Sequence, residues 1–311
     1  MTGPRRAVEA VTVLTNPASG HGNAPHAAER AIARLQQRGL DVVEIVGRDA
    51  AHAGRLVRAV LDAGTDALVV AGGDGVVSVA LQELAGGTVP LAIIPAGTGN
   101  DHARAFALPT HDPEVAADVV IDGDVRTVDL GRIDGDDGTR KWFGTVAATG
   151  FDSLVSDRTN RMTWPHGRMR YNLAMIAEIS KLRLLPFHLT LDDGTGQPRE
   201  IHTGLTLAAF GNTRSYGGGM LICPDADPTD GLLDVTMLHS ASRSRLIRLF
   251  PTVFKGTHVL LDDVQTTRAV RVRVESPGIN AYADGEFACP LPAEISVVAG
   301  ALRILVPRSP G

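Results

Sequence analysis

The tetrad Gly72-Gly73-Asp74-Gly75 joins two things that phosphate chemistry needs. Glycines let backbone N–H groups approach an anion, and a carboxylate can hold a divalent cation beside it. An acidic side chain inside such a turn would repel a phosphate unless a cation stood between them. The tetrad therefore reads as a Mg-nucleotide site in which Asp74 supports the metal or its water shell. The same four residues also make a good tight turn. Two echoes favour the chemistry: Gly97-Thr98-Gly99-Asn100-Asp101 and Asn16-Pro17-Ala18-Ser19-Gly20 also set hydrogen-bonding side chains on glycine-bearing loops. Asp101 is suited to capping a helix as well as to binding.

Each loop follows an apolar run of strand length: residues 11–14, 67–71 and 91–94. Helix-period segments follow at 76–84 and 102–106, and others stand at 26–37, 50–62 and 113–120, with a further strand at 42–46. Such alternation predicts a parallel sheet with helices on both faces, and ligands of these sheets bind outside the carboxyl ends of the strands. Beyond Asp124 strand patterns predominate, at 125–133, 142–149, 187–191, 205–210, 233–238, 270–274, 294–298 and 302–306, interrupted by helical stretches at 170–182 and 242–254. Short strands between Asp/Gly turns predict an antiparallel β-sandwich. We expect an α/β nucleotide-binding domain over 1–124 and a mainly antiparallel β-sandwich domain over 125–301. Residues 302–311 are expected to pack back on the first domain, with the active site in the interdomain cleft.

Composition narrows the class. The 311 residues are 44% hydrophobic and 21% charged, ordinary values for a globular chain. A net charge of −5 argues against nucleic acid as the main partner. The two cysteines, Cys223 and Cys289, form neither a zinc motif nor a disulfide framework, which points to a reducing compartment. The ten histidines show no His-x-x-x-His pair. No run approaches the ~20 apolar residues that span a bilayer, so a cytoplasmic protein is expected, peripheral on the inner membrane face if its substrate is a lipid. Basic residues flank apolar ones at Arg168, Arg170, Lys181 and Arg183, and again at Arg243, Arg245, Arg248 and Lys255. These stretches suit either membrane contact or an ordinary packed surface helix. Oligomeric state is left open, a homodimer included.

Taken in order, these segments resemble the diacylglycerol kinase catalytic-domain family, specifically its soluble bacterial lipid kinases. The resemblance rests on Asn16-Pro17-Ala18-Ser19-Gly20, Gly72-Gly73-Asp74-Gly75, Gly97-Thr98-Gly99-Asn100-Asp101, Gly150-Phe151-Asp152, Tyr216-Gly217-Gly218-Gly219-Met220, Asp230-Gly231-Leu232-Leu233-Asp234-Val235, Asp284-Gly285-Glu286 and the C-terminal run 300–307. It implies transfer of the γ-phosphoryl of ATP to a lipid hydroxyl, with Mg²⁺. Glu286 would be the general base, although Asp284-Gly285 also reads as a hairpin turn followed by an exposed strand residue. Asp74 would hold the catalytic Mg²⁺. Asn16, Pro17, Ser19, Gly20, Gly72, Gly73, Gly75, Gly97, Thr98, Gly99, Asn100 and Asp101 would contact nucleotide. The Asp230 side chain, with the backbone carbonyls of Asp227 and Leu232, would hold a structural Mg²⁺, and Asp129 would link that ion to the cleft. Asp230-Gly231 is equally a simple turn.

The chain departs from the family pattern. Val76 replaces a threonine, Ser78 and Val79 stand where an Asn-Glu pair is usual, and His21 takes the place of a lysine. Two alternatives follow: an NAD kinase-like enzyme, which shares a Gly-Gly-Asp-Gly loop, and a catalytically weakened nucleotide- or lipid-binding homologue.

Overall fold

The strand–helix alternation of the first third is realised as β1 (Ala10–Thr15), α1 (Asn23–Gln37), β2 (Asp41–Val46), α2 (Ala50–Ala63), β3 (Ala67–Gly72), α3 (Asp74–Leu84), β4 (Leu91–Pro95), α4 (Asp101–Ala105) and α5 (Pro113–Asp122). The structure is a computed structural model describing residues 8–16, 23–162, 164, 168–240 and 242–308. Two compact units emerge, one from residues up to Asp129 together with those from Gly300 onward, the other from Leu130–Ala299.

In the first unit β2, β1, β3 and β4 lie side by side in that order, all parallel. β3 and β4 are buried at every residue, which is why they read as unbroken apolar runs. α1 packs with α5, and α2 with α3. Arg30 and Arg34 on α1 and Arg38 just after it, spaced four apart, reach Asp112, Glu114, Asp118 and Asp122 at α5. Asp112 also caps α5, accepting the Glu114 N–H at 2.9 Å ahead of a proline at the first helical position.

The chain passes into the second unit along β5 (Asp124–Gly135). There follow β6 (Arg140–Phe143), β7 (Val146–Gly150), α6 (Phe151–Arg161), α7 (Arg168–Ser180), β8 (Leu185–Asp192), β9 (Arg199–Leu205), β10 (Leu207–Gly211), β11 (Leu233–Leu238), α8 (Arg243–Val253), β12 (Val264–Ala269), β13 (Arg271–Glu275), β14 (Asn280–Ala283), β15 (Glu286–Pro290) and β16 (Ala293–Val306). One antiparallel sheet runs β12-β11-β10-β7-β14-β15. The other sets the first part of β16 beside β13, β8 and β9. Phe143, Leu189, Phe210, Val235, Val272 and Ile295 interleave in a single core, giving the β-sandwich. The last part of β16 returns to the first unit, where Ile304 pairs parallel with Leu91 and Leu305 enters the core.

Several elements differ from the sequence reading. The strand expected over 142–149 is two strands parted at Gly144 and Thr145, and the one over 205–210 is parted at Thr206. The strands expected at 294–298 and 302–306 are one strand of 14 residues. α6, β9 and β12 were not anticipated, because each is too polar to show a clear apolar period.

Candidate functional site

Because β1, β3 and β4 are parallel neighbours, the loops that leave them open on one edge of the first unit's sheet. Register fixes them closely, with Thr15 opposite Ala71 and Gly72 opposite Pro95. The helix after β1 packs with α5, whereas the helix after β3 packs with α2. The connections therefore leave in opposite directions between β1 and β3, the switch point at which a crevice opens in such sheets. Asn16 stands there, half-buried. Pro17, Ser19, Gly20 and His21 lie outside the described residues.

The two glycine loops are built against each other. Ala96 N–H donates to Gly72 O at 2.9 Å. A Cβ on Gly97 would lie 2.6 Å from Gly73 Cα, so the backbones meet where no side chain fits. Asn100, in a left-handed conformation at φ 52°, closes its own loop: its Oδ1 accepts Gly97 N–H and its Nδ2 donates to Gly97 O, both at 2.9 Å. Its amide thus shapes the loop, while Thr98 is exposed. On the other loop, Val76 and Val77 N–H both donate to Gly73 O, and helical bonding begins there. The N–H groups of Asp74 and Gly75 precede it and point out of the N-terminus of α3, an arrangement that favours an anion.

Asp74 Oδ1 accepts the backbone N–H and the ring Nδ1–H of His102, each at 3.1 Å. Burial raises the Asp74 carboxyl, but the His102 hydrogen bonds and charge outweigh it, and the group is held below the usual carboxylate range. Asp74 Oδ2 lies against Gly99, 2.7 Å from where a Cβ would stand. One ionised carboxylate beside open N–H groups fits a Mg²⁺ that keeps water and phosphate ligands, and does not make an all-protein cage. Val76 is buried against Gly72 and Ser78 is buried as well, so neither side chain extends the polar surface of the loop. Asp101 is buried within reach of Arg104 at 3.4 Å. Asp129 is buried and accepts Gly300 N–H at 2.8 Å.

In the second unit, Asp284 and Gly285 are both left-handed, at φ 50° and 79°, and form the two-residue turn between β14 and β15. The Asp284 carboxylate accepts Gly144 N–H at 2.9 Å, Thr145 N–H at 2.8 Å and Thr145 Oγ1–H at 2.6 Å. That clamp is what divides β6 from β7. Glu286 follows the turn, exposed, and its charge reaches Lys141. Lys141 Nζ donates to Phe287 O at 2.9 Å; burial depresses its pKa, partly offset by Glu286 and Asp284.

At the other turn, Asp230 N–H points to Asp227 O at 3.4 Å, and Asp230 Oδ1 accepts Leu232 N–H at 3.0 Å. Nearby, Asp234 Oδ2 is buried and makes no hydrogen bond, with Arg268 Nε 3.6 Å away. Burial raises the Asp234 pKa, and the charges of Asp230 and Asp225 add to it against Arg268. Surplus negative charge around an unsatisfied oxygen fits a cation at this turn. Asp152, half-buried in the first turn of α6, is pushed up to about 6 by burial, against a hydrogen bond from Tyr216.

Residues 10–133 match the diacylglycerol kinase catalytic domain, and 145–306 match the YegS C-terminal NAD kinase beta sandwich-like domain. Proteins named diacylglycerol kinase in Mycobacterium tuberculosis strains CDC 1551 and H37Rv are 67% identical over 98% of this chain and 97% of their own. The chain belongs to the diacylglycerol kinase family. Another member so named, from Bacillus subtilis strain 168, is 28% identical over 95% of this chain and 96% of its own. The fold also matches a crystal structure of a diacylglycerol kinase from Bacillus anthracis str. Sterne, at a TM-score of 0.71 and 20% identity, covering 97% of this chain and 98% of that one.

For this member of the diacylglycerol kinase family, the structure brings Gly72, Gly73, Asp74, Gly75, Gly97, Thr98, Gly99, Asn100 and Asp101 together on one sheet edge beside Asn16. It joins Asp227, Asp230 and Leu232 in one turn, and sets Glu286 behind the Asp284 clamp. Sequence reasoning missed three neighbours. His102 carries a signal, lying next to Asp101 in the loop. Lys141 and the reach of Asp284 carry none, because their partners are some 140 positions away.

Proposed function

We propose that this family member is an ATP- and Mg²⁺-dependent lipid kinase, with diacylglycerol as the first candidate acceptor. The observation that carries this reading is the pair of glycine loops locked at Gly73 and Gly97 around an ionised Asp74. Phosphoryl transfer asks a protein mainly for positioning and charge neutralisation. The α3 N–H groups and the loop over 97–101 hold the nucleotide phosphates, with Asn16 at the end of the neighbouring strand; Ser19, outside the described residues, is a further candidate contact. Mg²⁺, when bound at Asp74, neutralises phosphate charge; a second ion at Asp230 supports the turn over 227–232.

Glu286 takes the proton of the lipid hydroxyl as that oxygen bonds to the γ-phosphorus. The bond to the bridging oxygen breaks and ADP leaves. Glu286 is exposed with its charge toward Lys141, so its carboxylate is open to an incoming hydroxyl and can accept that proton. Lipid is met at a membrane surface, where exposed apolar residues of α7 and α8 enter the interface.

The test is a labelled-ATP transfer assay against lipid micelles and NAD, with Mg²⁺ present or chelated. Transfer to a lipid that needs Mg²⁺ and falls by ~10²–10⁴ in Glu286→Gln is the expected result. Phosphorylation of NAD instead would move the chain to the NAD kinase-like reading. Nucleotide binding with no transfer to either acceptor would make it a weakened homologue, and Val76→Thr is then the reversion to make.

A further inference from the structure

Away from these loops, the outer face of the second unit's β13-β8-β9 sheet gathers another set of titratable side chains. Register places Glu275 opposite His188, His188 opposite His202, and Thr190 opposite Glu200. Side chains alternate along strands, so these residues share one face, while Phe187, Leu189, Val272 and Val274 fill the core on the other. The two imidazole rings stack at 3.9 Å between centroids.

His188 Nε2 and His202 Nε2 stand 3.9 and 3.7 Å from the same oxygen, Glu200 Oε2. Both separations are too long for hydrogen bonds. His188 Nε2 is buried from solvent with no hydrogen-bond partner. Its Nδ1 lies 3.8 Å from Glu275 Oε1, an oxygen also 3.5 Å from Arg273 Nε. Among the described residues, His188, Glu200 and His202 are the one group of three such side chains whose ligating atoms all fall within 4.8 Å.

Zinc bonds of ~2.0–2.2 Å in a tetrahedron hold ligand atoms about 3.3–3.5 Å apart. The two Nε2–Oε2 separations are a few tenths of an ångström wider, and the stacked rings must turn about χ2 before both Nε2 atoms can ligate one ion. Imidazole with carboxylate selects a borderline ion such as Zn²⁺ over Mg²⁺, which prefers oxygen. A carboxylate on the far ring nitrogen is the usual way a ligating histidine is oriented.

We propose that His188, His202 and Glu200 form a zinc-class metal site, with Glu275 orienting His188, that clamps the edge strand β9 onto β8. The site is separate from the Mg²⁺ positions considered above and does not depend on kinase activity. It is tested by calorimetric titration of the chelator-treated full chain with ZnCl₂ at pH 7.5 in excess Mg²⁺, alongside thermal unfolding and X-ray absorption at the zinc edge. The expected result is one saturable site, a zinc-dependent rise in unfolding temperature, and a first shell containing two imidazoles.

His202 is exposed, so His202→Ala should keep the fold and weaken zinc binding by more than the ~10–100-fold that loss of an outer partner costs. Glu200→Gln, equally exposed, should weaken it in the same direction. His188→Ala/His202→Ala should abolish both the heat and the thermal shift. Absence of saturable binding, or binding undiminished in His202→Ala and Glu200→Gln, would overturn the proposal.

Discussion

At the residue scale, the contact between Gly73 and Gly97 is the tightest constraint on the loop edge of the first unit's sheet. Gly97→Ala would drive a methyl into Gly73 Cα and toward Asn100 Oδ1, 2.9 Å from the same Cβ position. Overpacking of this kind costs ~1–3 kcal/mol. We expect a lowered denaturation midpoint together with a loss of ATP affinity that exceeds the loss of stability, read by urea unfolding and nucleotide titration on the same preparation. Unchanged ATP affinity would mean that the loops do not form the phosphate cradle. Glu286 differs, since its side chain is exposed and carries no packing. Glu286→Gln should change transfer and leave the unfolding temperature where it was.

At the element scale, His258 ties the short 3-10 turn Thr257–Leu260 to the loop before β11. Its Nε2–H donates to Ile222 O at 3.1 Å, while Nδ1 is buried without a partner. Burial lowers its pKa below the ordinary histidine value despite that hydrogen bond. The unfolded chain therefore takes up a proton that the folded one refuses. Stability conferred by the neutral ring is complete above about pH 6.5 and is lost as pH falls from there through the folded value. His258→Gln keeps a donor and removes the titration. Its unfolding midpoint should drop less than wild type between pH 7.5 and 5.5, as followed by circular dichroism, and parallel curves would refute the assignment.

Elements were legible where physics is local. The β3 and β4 runs are apolar because both faces are covered, and the helix after each glycine loop begins with its own orphan N–H groups. The sandwich was legible as a class, but its joints were not. β6 and β7 part because a carboxylate 140 residues away takes the Gly144 amide, and no local pattern encodes that. The site was legible as residue types on loops. The capture of Asp74 by His102, and the use of Asn100 to close its own loop, required the three-dimensional arrangement.

At the scale of the whole molecule, no helix among the described residues is long and apolar enough to cross a membrane. The second unit nevertheless exposes Met169, Leu173 and Ile176 along one stripe of α7, and Ile247 and Phe250 on α8 with Phe254 just after it. Arg243 on α8 hydrogen-bonds Ser180 O at the end of α7, so the two helices meet. Lys181, Arg183, Arg248 and Lys255 lie in or beside these helices, although the net charge of the chain is −5; the side chains of Arg168 and Arg170 lie outside the described residues. Each base can add ~1 kcal/mol near an anionic leaflet. Vesicles rich in phosphatidylserine should float the protein, and Ile247→Asp/Phe250→Asp should keep it in the bottom fraction. Flotation independent of anionic lipid would remove the electrostatic part of this reading.

The return of β16 to the first unit has a consequence for how the protein is made. The strand that pairs with Leu91 and sends Leu305 into the first core leaves the ribosome only after residues 130–299, which take roughly ten to thirty seconds at about 5–20 residues per second. Throughout that interval the nascent sheet of the first unit ends at β4 with its edge unpaired. A growing chain in this state is a natural client for a chaperone until its final strand is delivered.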